Sequence, residues 1–114
     1  MQRGAIVLTK FPFTDLSSAK RRPGIIVSRK MSNANDVIIA FISSVLSSNP
    51  EATDYLITTL HKDFFITGLK KESVIKLDKL ATINLSVISG EIGIVSDITM
   101  SQIDNCLKLA LGLQ

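Results

Sequence analysis

Asp36-Val-Ile-Ile-Ala-Phe-Ile-Ser43 is the longest run of β-branched and aromatic residues in the chain. It is too short for a typical buried helix and apolar on both alternating sets, so it reads as a strand in the middle of a sheet. Turn chemistry precedes it, Met31-Ser-Asn-Ala-Asn35. Before that, Gly24-Ile-Ile-Val-Ser28 is a second buried strand that begins just after Pro23, and Ala5 to Thr9 is a third. Downstream, Ser47-Ser-Asn-Pro50 marks a loop. Thr53 to Thr59 alternates, with Tyr55 and Ile57 on one face and Leu56 and Thr58 on the other. Ser73 to Leu77 and Glu91 to Val95 read as further short strands. Between them, His61 to Ile66 is ambiguous and fits a single helical turn before Gly68, and Asn84 is placed to cap a short helical turn through Leu85 and Val87.

The period changes at the end. Ile103, Cys106, Leu107 and Ala110 recur at helical spacing, Thr99 and Gln102 have the spacing of a capping box, and Gly112 can stop the helix. The expectation is a helix over about residues 99–111 with Ile103, Cys106 and Leu107 buried and Asp104 and Lys108 in water. Five or six short strands followed by one amphipathic helix predict a mainly β fold, a small bent sheet or barrel with the helix packed on it.

At 114 residues the chain suits one domain, residues 1–114, with one core. Hydrophobic residues make up 46%, which argues against disorder. No apolar run approaches the ~20 residues of a membrane span, and the N-terminal residues lack a signal-peptide pattern. A single cysteine, Cys106, excludes an internal disulfide and fits a reducing cytoplasm. Its place on the apolar face of the last helix reads as core filler.

Charge is distributed unevenly. Residues 1–30 hold seven Lys/Arg against one acid, while residues 31–114 hold six against nine. The cations concentrate around Phe11-Pro-Phe-Thr-Asp-Leu-Ser-Ser-Ala-Lys-Arg-Arg-Pro23, a loop between two strands bordered by Lys10, Lys20, Arg21 and Arg22. Such a loop either receives an anion, a phosphate or an acidic partner, or is a solvated face. An arginine beside Pro23 has a fixed backbone and five donors suited to phosphate. Ser43 and Ser44 end the long strand, where hydroxyls serve a site or form a turn.

Several chemistries find no provision. One histidine, His61, rules out paired-histidine cleavage within a chain. The acids are scattered, without metal-ligand spacing. Gly90 and Gly93 are too sparse for a phosphate-binding glycine loop.

Taken together, Gly4-Ala-Ile-Val-Leu8, the Phe11-Pro-Phe loop leading into Lys20-Arg-Arg-Pro23, Ile42-Ser-Ser44, Gly68-Leu-Lys-Lys-Glu-Ser-Val74, Asp78-Lys-Leu-Ala-Thr-Ile83 and Leu109-Ala-Leu-Gly-Leu113 resemble the PemK/MazF family of toxin endoribonucleases, in the same order over nearly the whole chain. The resemblance implies an SH3-like β-barrel with a C-terminal α-helix, usually a homodimer. Its activity would be metal-independent cleavage of single-stranded RNA, without a cofactor, restrained by an acidic antitoxin. It makes Arg22 catalytic and aligns Ser43 with the family's threonine at the end of the third strand. Serine keeps the hydroxyl and loses the methyl that stiffens the rotamer. Ala81 stands where several relatives carry arginine.

Around that pair, Lys20, Arg21, Ser44, Lys70 and Lys79 are candidate RNA contacts. Phe11 and Phe13 either stack on bases or plug the barrel mouth. A second function keeps the fold and drops the chemistry: a toxin that binds a protein target, as the similarly folded CcdB toxins bind gyrase, or a degenerate RNA binder.

Overall fold

The computed structural model describes residues 2–10, 20–29 and 35–114. Six strands, β1 (Ala5–Thr9), β2 (Arg22–Ile26), β3 (Asp36–Ser43), β4 (Asp54–Ile57), β5 (Ser73–Asn84) and β6 (Ile88–Ile94), are followed by one helix, α1 (Asp97–Leu111). All neighbours are antiparallel, in the order β4-β5-β3-β2-β1-β6. The expected mainly β class with a terminal helix is what the chain adopts, and the long run 36–43 is an interior strand. The sheet is curved but open: its end strands, β4 and β6, are not paired with each other. The segment after β4 narrows the gap, because Ile94 N–H donates to Ile66 O at 2.9 Å. Gly93 permits that approach; a Cβ there would come within 2.3 Å of the Ile66 and Thr67 backbone.

The two sheet faces bury different sets. Ile6, Ile25, Ala40, Ile42, Ile57, Ile75 and Leu77 form the main core with Met100 and Ile103 of α1. Ala5, Val7, Ile26, Val37 and Ile39 face the other way, joined by Phe41, Ala81, Ile83, Leu85 and Ile88. This alternation is why β3 is apolar at almost every position.

Several boundaries differ from the sequence reading; β4 is shorter, Asp54–Ile57, and β6 begins at Ile88, three residues before the expected Glu91. Strand β2 begins at Arg22, two residues before the expected Gly24, because Arg22 and Pro23 pair with Thr9 and Leu8 of β1. Pairing with β3 begins only at Gly24, after the proline that lacks an N–H. Strand β5 runs on to Asn84: the register jumps from Phe41↔Lys76 to Ala40↔Leu80, so Leu77 to Lys79 bulge out and the strand resumes. Residues 61–68 are consecutive turns, with one helical bond, Thr67 N to Asp63 O at 3.1 Å.

The helix starts earlier than residue 99. Ser96 is the N-cap, its hydroxyl accepting from Thr99 N at 3.3 Å, while Gln102 instead accepts from the Tyr55 hydroxyl at 2.5 Å. Gly112 does end the helix, in the left-handed conformation at φ 71. Asn84 caps the 3-10 turn Leu85–Val87, accepting from Ser86 N at 3.0 Å. Ile103 is fully buried, Cys106 and Leu107 half-buried, and Lys108 exposed. Asp104 is not simply in water, since Arg3 grips both its oxygens at 2.5 and 3.3 Å and also donates to Val27 O. No helix among the described residues is long and apolar enough to cross a membrane.

Candidate RNA-processing face

Directly opposed residues of an antiparallel pair project from the same face of the sheet. Ile88 of β6 opposes Thr9 of β1, and Thr9 opposes Arg22 of β2. The β2–β3 pairing ends at Gly24↔Phe41; two residues further along each strand, on the same face, stand Arg22 and Ser43. Ser43 in turn opposes Val74 of β5, and Val74 opposes Leu56 of β4. Two paired segments of one row, Ile88–Thr9–Arg22 and Ser43–Val74–Leu56, thus lie on the face away from α1, with no ladder pair between Arg22 and Ser43.

Arg22 is half-buried at the start of its strand. Among the described residues its guanidinium has no hydrogen-bond or ion-pair partner. Thr9 beside it is fully buried and donates to Val87 O at 2.9 Å, which ties β1 to the turn before β6. Ser43 accepts from Val45 N at 3.0 Å. That bond occupies an oxygen lone pair and leaves the hydroxyl hydrogen to be donated.

Arg21 takes another direction. Its Nε donates to the hydroxyl of Ser89, which is the extra residue where the β1–β6 register slips from Leu8↔Gly90 to Thr9↔Ile88. Bulges of this kind re-aim side chains. A groove of about 780 Å³ opens here, lined among others by Lys10, Arg21, Thr82, Ser86, Val87 and Ser89. It offers two cations and several hydroxyls over an apolar floor, a surface suited to a phosphodiester chain.

The other expected contacts divide. Lys20 is exposed on the approach to this groove, one residue before Arg21. Ser44 is exposed just past Ser43, and Lys70 precedes β5 at the end of the sheet where Ser43 and Ser44 leave it. Lys79 sits in the β5 bulge, five residues beyond Val74, and is not brought to the row. Phe11 and Phe13 lie outside the described residues. Sequence reasoning missed Thr9 and Ser89. Thr9 was legible as the polar last residue of an apolar strand, whereas nothing short of the register marks Ser89.

His61 and Cys106 are occupied on the opposite side of the sheet. His61 Nδ1 accepts from Asp63 N at 3.0 Å, so its proton is on Nε2, which donates to Tyr55 Oη at 2.8 Å. The Tyr55 hydroxyl in turn donates a hydrogen bond to Gln102 Oε1. Burial, helped by Asp54, holds the Cys106 thiol above its ordinary value, which keeps it from acting as a thiolate. Asp63 is buried; burial pushes its carboxyl up, but hydrogen bonds from Thr99 and from the Ser96 backbone and hydroxyl together bring it below the usual carboxylate value. These groups pin the 61–68 segment to α1. Among the described residues no three His, Cys, Asp or Glu side chains converge as metal ligands.

Comparison with known proteins places this face in context. Residues 2–111 match the sequence profile of the PemK-like, MazF-like toxin of type II toxin-antitoxin systems. No curated protein matches the sequence significantly. Among solved structures, a mycobacterial endoribonuclease in complex with its cognate antitoxin is similar at TM-score 0.74 and 20% identity, over 100% of this chain and 97% of that one. The Mycobacterium tuberculosis toxin MazF-mt6 is similar at 0.72 and 19%, over 98% and 99%. The MazF of a MazE-MazF structure from Deinococcus radiodurans is similar at 0.73 and 14%, over 100% and 97%. These identities establish a shared fold, and the profile covers nearly the whole chain. The chain belongs to the PemK-like, MazF-like toxins of type II toxin-antitoxin systems.

Proposed function

We propose that this toxin is an endoribonuclease that cuts single-stranded RNA at the Arg22–Ser43 row. The observation that carries the reading is an arginine without a side-chain partner among the described residues and a hydroxyl with a donatable proton on one face of the sheet, beside a cationic groove. In the reaction the RNA 2′-hydroxyl gives its proton to solvent as its oxygen attacks the adjacent phosphorus, and the bond to the 5′-oxygen breaks as that oxygen takes a proton from solvent. The products are a 2′,3′-cyclic phosphate and a 5′-hydroxyl. Charge builds on the nonbridging oxygens, where Arg22 supplies two donors at once and Ser43 one. Arginine is charged at any ordinary pH, so its part is electrostatic. Lys10, Lys20 and Arg21 raise the local concentration of the substrate. No step depends on a metal or cofactor.

Family membership supports two partners besides RNA. A second copy of the chain has apolar surface to cover, including Leu109, Leu111 and Leu113 at the helix end. An acidic antitoxin segment, disordered until bound, would occupy the cationic groove and compete with RNA, with an affinity that falls as salt rises. The protein-target reading has no observation in its favour here.

The test is incubation of the purified protein with a long RNA in EDTA, followed by analysis of the new ends. Discrete fragments with cyclic phosphate and 5′-hydroxyl termini are expected. RNA left intact by a folded protein would overturn the reading.

A further inference from the structure

Residues 58–72 leave β4 and return to β5 as a strap on the α1 side of the sheet. Inward, the strap is tied at many points. His61 bonds to Tyr55, Asp63 accepts from the Ser96 backbone and hydroxyl, and Ile66 O accepts from Ile94 N. Phe64 and Leu69 pack in the core shared with α1. Outward, the same segment presents large apolar side chains. Leu60 and Phe65 are 94% and 91% exposed, and Ile66 is 46% exposed. Phe65 meets the edge of Phe64, ring centroids 6.0 Å apart, and leaves the rest of its surface in water. Full burial of either knob is worth about 1.5–3 kcal/mol, which the chain by itself forgoes. Apolar anchors on a pinned segment have the make-up of a docking surface, because little freedom is lost when a partner covers them.

Charge indicates the partner. Between residues 58 and 72 the cations Lys62, Lys70 and Lys71 are exposed. The two carboxylates of that segment are taken up internally, Asp63 by Ser96 and Glu72 by the Thr59 backbone N–H at 3.0 Å. The bond between Glu72 and Thr59 also brings Lys71 close to Leu60. At the far end, beyond the ties at Ile94 and Ser96, stand the exposed carboxylates Glu91 and Asp97. The strap therefore has a cationic end at Leu60 and an anionic end past Ile66. A segment that covers Leu60 and Phe65 needs apolar side chains with acids toward the Leu60 end. An acidic protein supplies both, whereas RNA matches the lysines and offers no aliphatic surface to Leu60.

We propose that the Leu60–Phe65 knob is a second antitoxin contact, separate from the cationic groove, an inference that rests on the acidic-antitoxin reading above. It takes an acidic segment with apolar anchors, whose carboxylates lie toward Lys62 and Lys71. The strap is on the α1 side of the sheet and Arg22 on the other, so this contact leaves the RNA face open. It tethers the antitoxin and raises the effective concentration of the segment that competes with RNA at the groove.

The probe is the cognate antitoxin, titrated into the toxin by calorimetry. Each titration is run with and without a saturating oligoribonucleotide whose 2′-deoxy residue at the cut prevents reaction. With the wild type, RNA is expected to weaken antitoxin binding without abolishing it. In L60S/F65S the antitoxin binds at least about tenfold more weakly without RNA and not at all with it, while RNA cleavage in the absence of antitoxin is unchanged. K62E lowers the affinity and flattens its salt dependence. Both apolar positions are exposed, and the melting temperature verifies folding; should the pair unfold the protein, F65S alone serves. A folded L60S/F65S that binds antitoxin as tightly as the wild type, or wild-type binding wholly lost to RNA, overturns the proposal and leaves the groove reading intact. If the substitutions spare the antitoxin and instead dissociate a dimer or release the protein from phosphatidylserine vesicles, the knob serves another occupant and the proposal is equally overturned. A folded wild type that binds no antitoxin removes the antitoxin reading, and the proposal with it.

Discussion

Arg22 stands directly opposite Thr9 on the β1–β2 ladder, so the candidate catalytic arginine is the first residue of a strand and not part of the loop before it. A strand position fixes the backbone through its neighbour, and the neighbour is itself anchored by the bond from its hydroxyl to Val87 O. Thr9→Val keeps the shape and removes that anchor. The change is expected to cost about 0.5–1.5 kcal/mol in urea unfolding, the net value of one hydrogen bond. It should also slow RNA cleavage without weakening RNA binding. Unchanged stability and cleavage would show that the tie to Val87 does not hold the row.

Ser43 differs from Arg22 in having one hydroxyl to offer, already accepting from Val45 N. Ser43→Ala is expected to lose less than the ~10²–10³ in rate typical of a removed oxyanion donor, since Arg22 remains. Ser43→Thr restores the hydroxyl on a stiffer rotamer and should match or exceed the wild type. Single-turnover cleavage of one oligonucleotide by the three proteins checks both statements.

Asp63 makes stability depend on acid. Its folded-state carboxyl lies below the ordinary value, so the ionised form stabilises the fold. That contribution is complete above the unfolded carboxylate value and is lost as the pH falls through the lower folded value. Asp63→Asn should flatten this acid limb and cost about 1–3 kcal/mol at neutral pH. Melting temperatures of the two proteins from neutral pH down to about pH 3 should converge.

The helix face sets a rank order. Ile103 is fully buried and Leu107 only partly so. Ile103→Ala should cost about 2–5 kcal/mol and Leu107→Ala clearly less. Asp104→Ala, which removes a largely exposed ion pair with Arg3, should cost about 1 kcal/mol or less. Chemical denaturation of the three variants gives the order directly.

Much of this was legible in the residues. The run 36–43, the alternation at Tyr55 to Ile57, the Asn84 cap and the Gly112 stop are local signals, and local structure follows them. What stayed hidden depends on pairing partners. The strand read from Ser73 to Leu77 runs on to Asn84, because the bulge after Lys76 lets it resume against β3. Ser96 displaced the Thr99–Gln102 capping box because Asp63, remote in sequence, holds its backbone and hydroxyl. At the site, Arg22 and Ser43 stood out by residue type, but their placement on one face of β2 and β3 is a matter of register, as is the bulge that turns Ser89 toward Arg21. A register is a relation between distant segments, and no single window of sequence contains it.

The most direct test of the account compares Arg21→Ala with Arg22→Ala in single-turnover cleavage at saturating protein. The two arginines are adjacent in sequence and equal in charge, but one is bonded to Ser89 and the other lies in the row with Ser43. Arg21→Ala is expected to cleave at nearly the wild-type rate once saturation offsets its weaker, salt-sensitive binding, while Arg22→Ala loses nearly all cleavage. Cleavage at the wild-type rate by both variants would contradict this reading and move the chemistry away from this face.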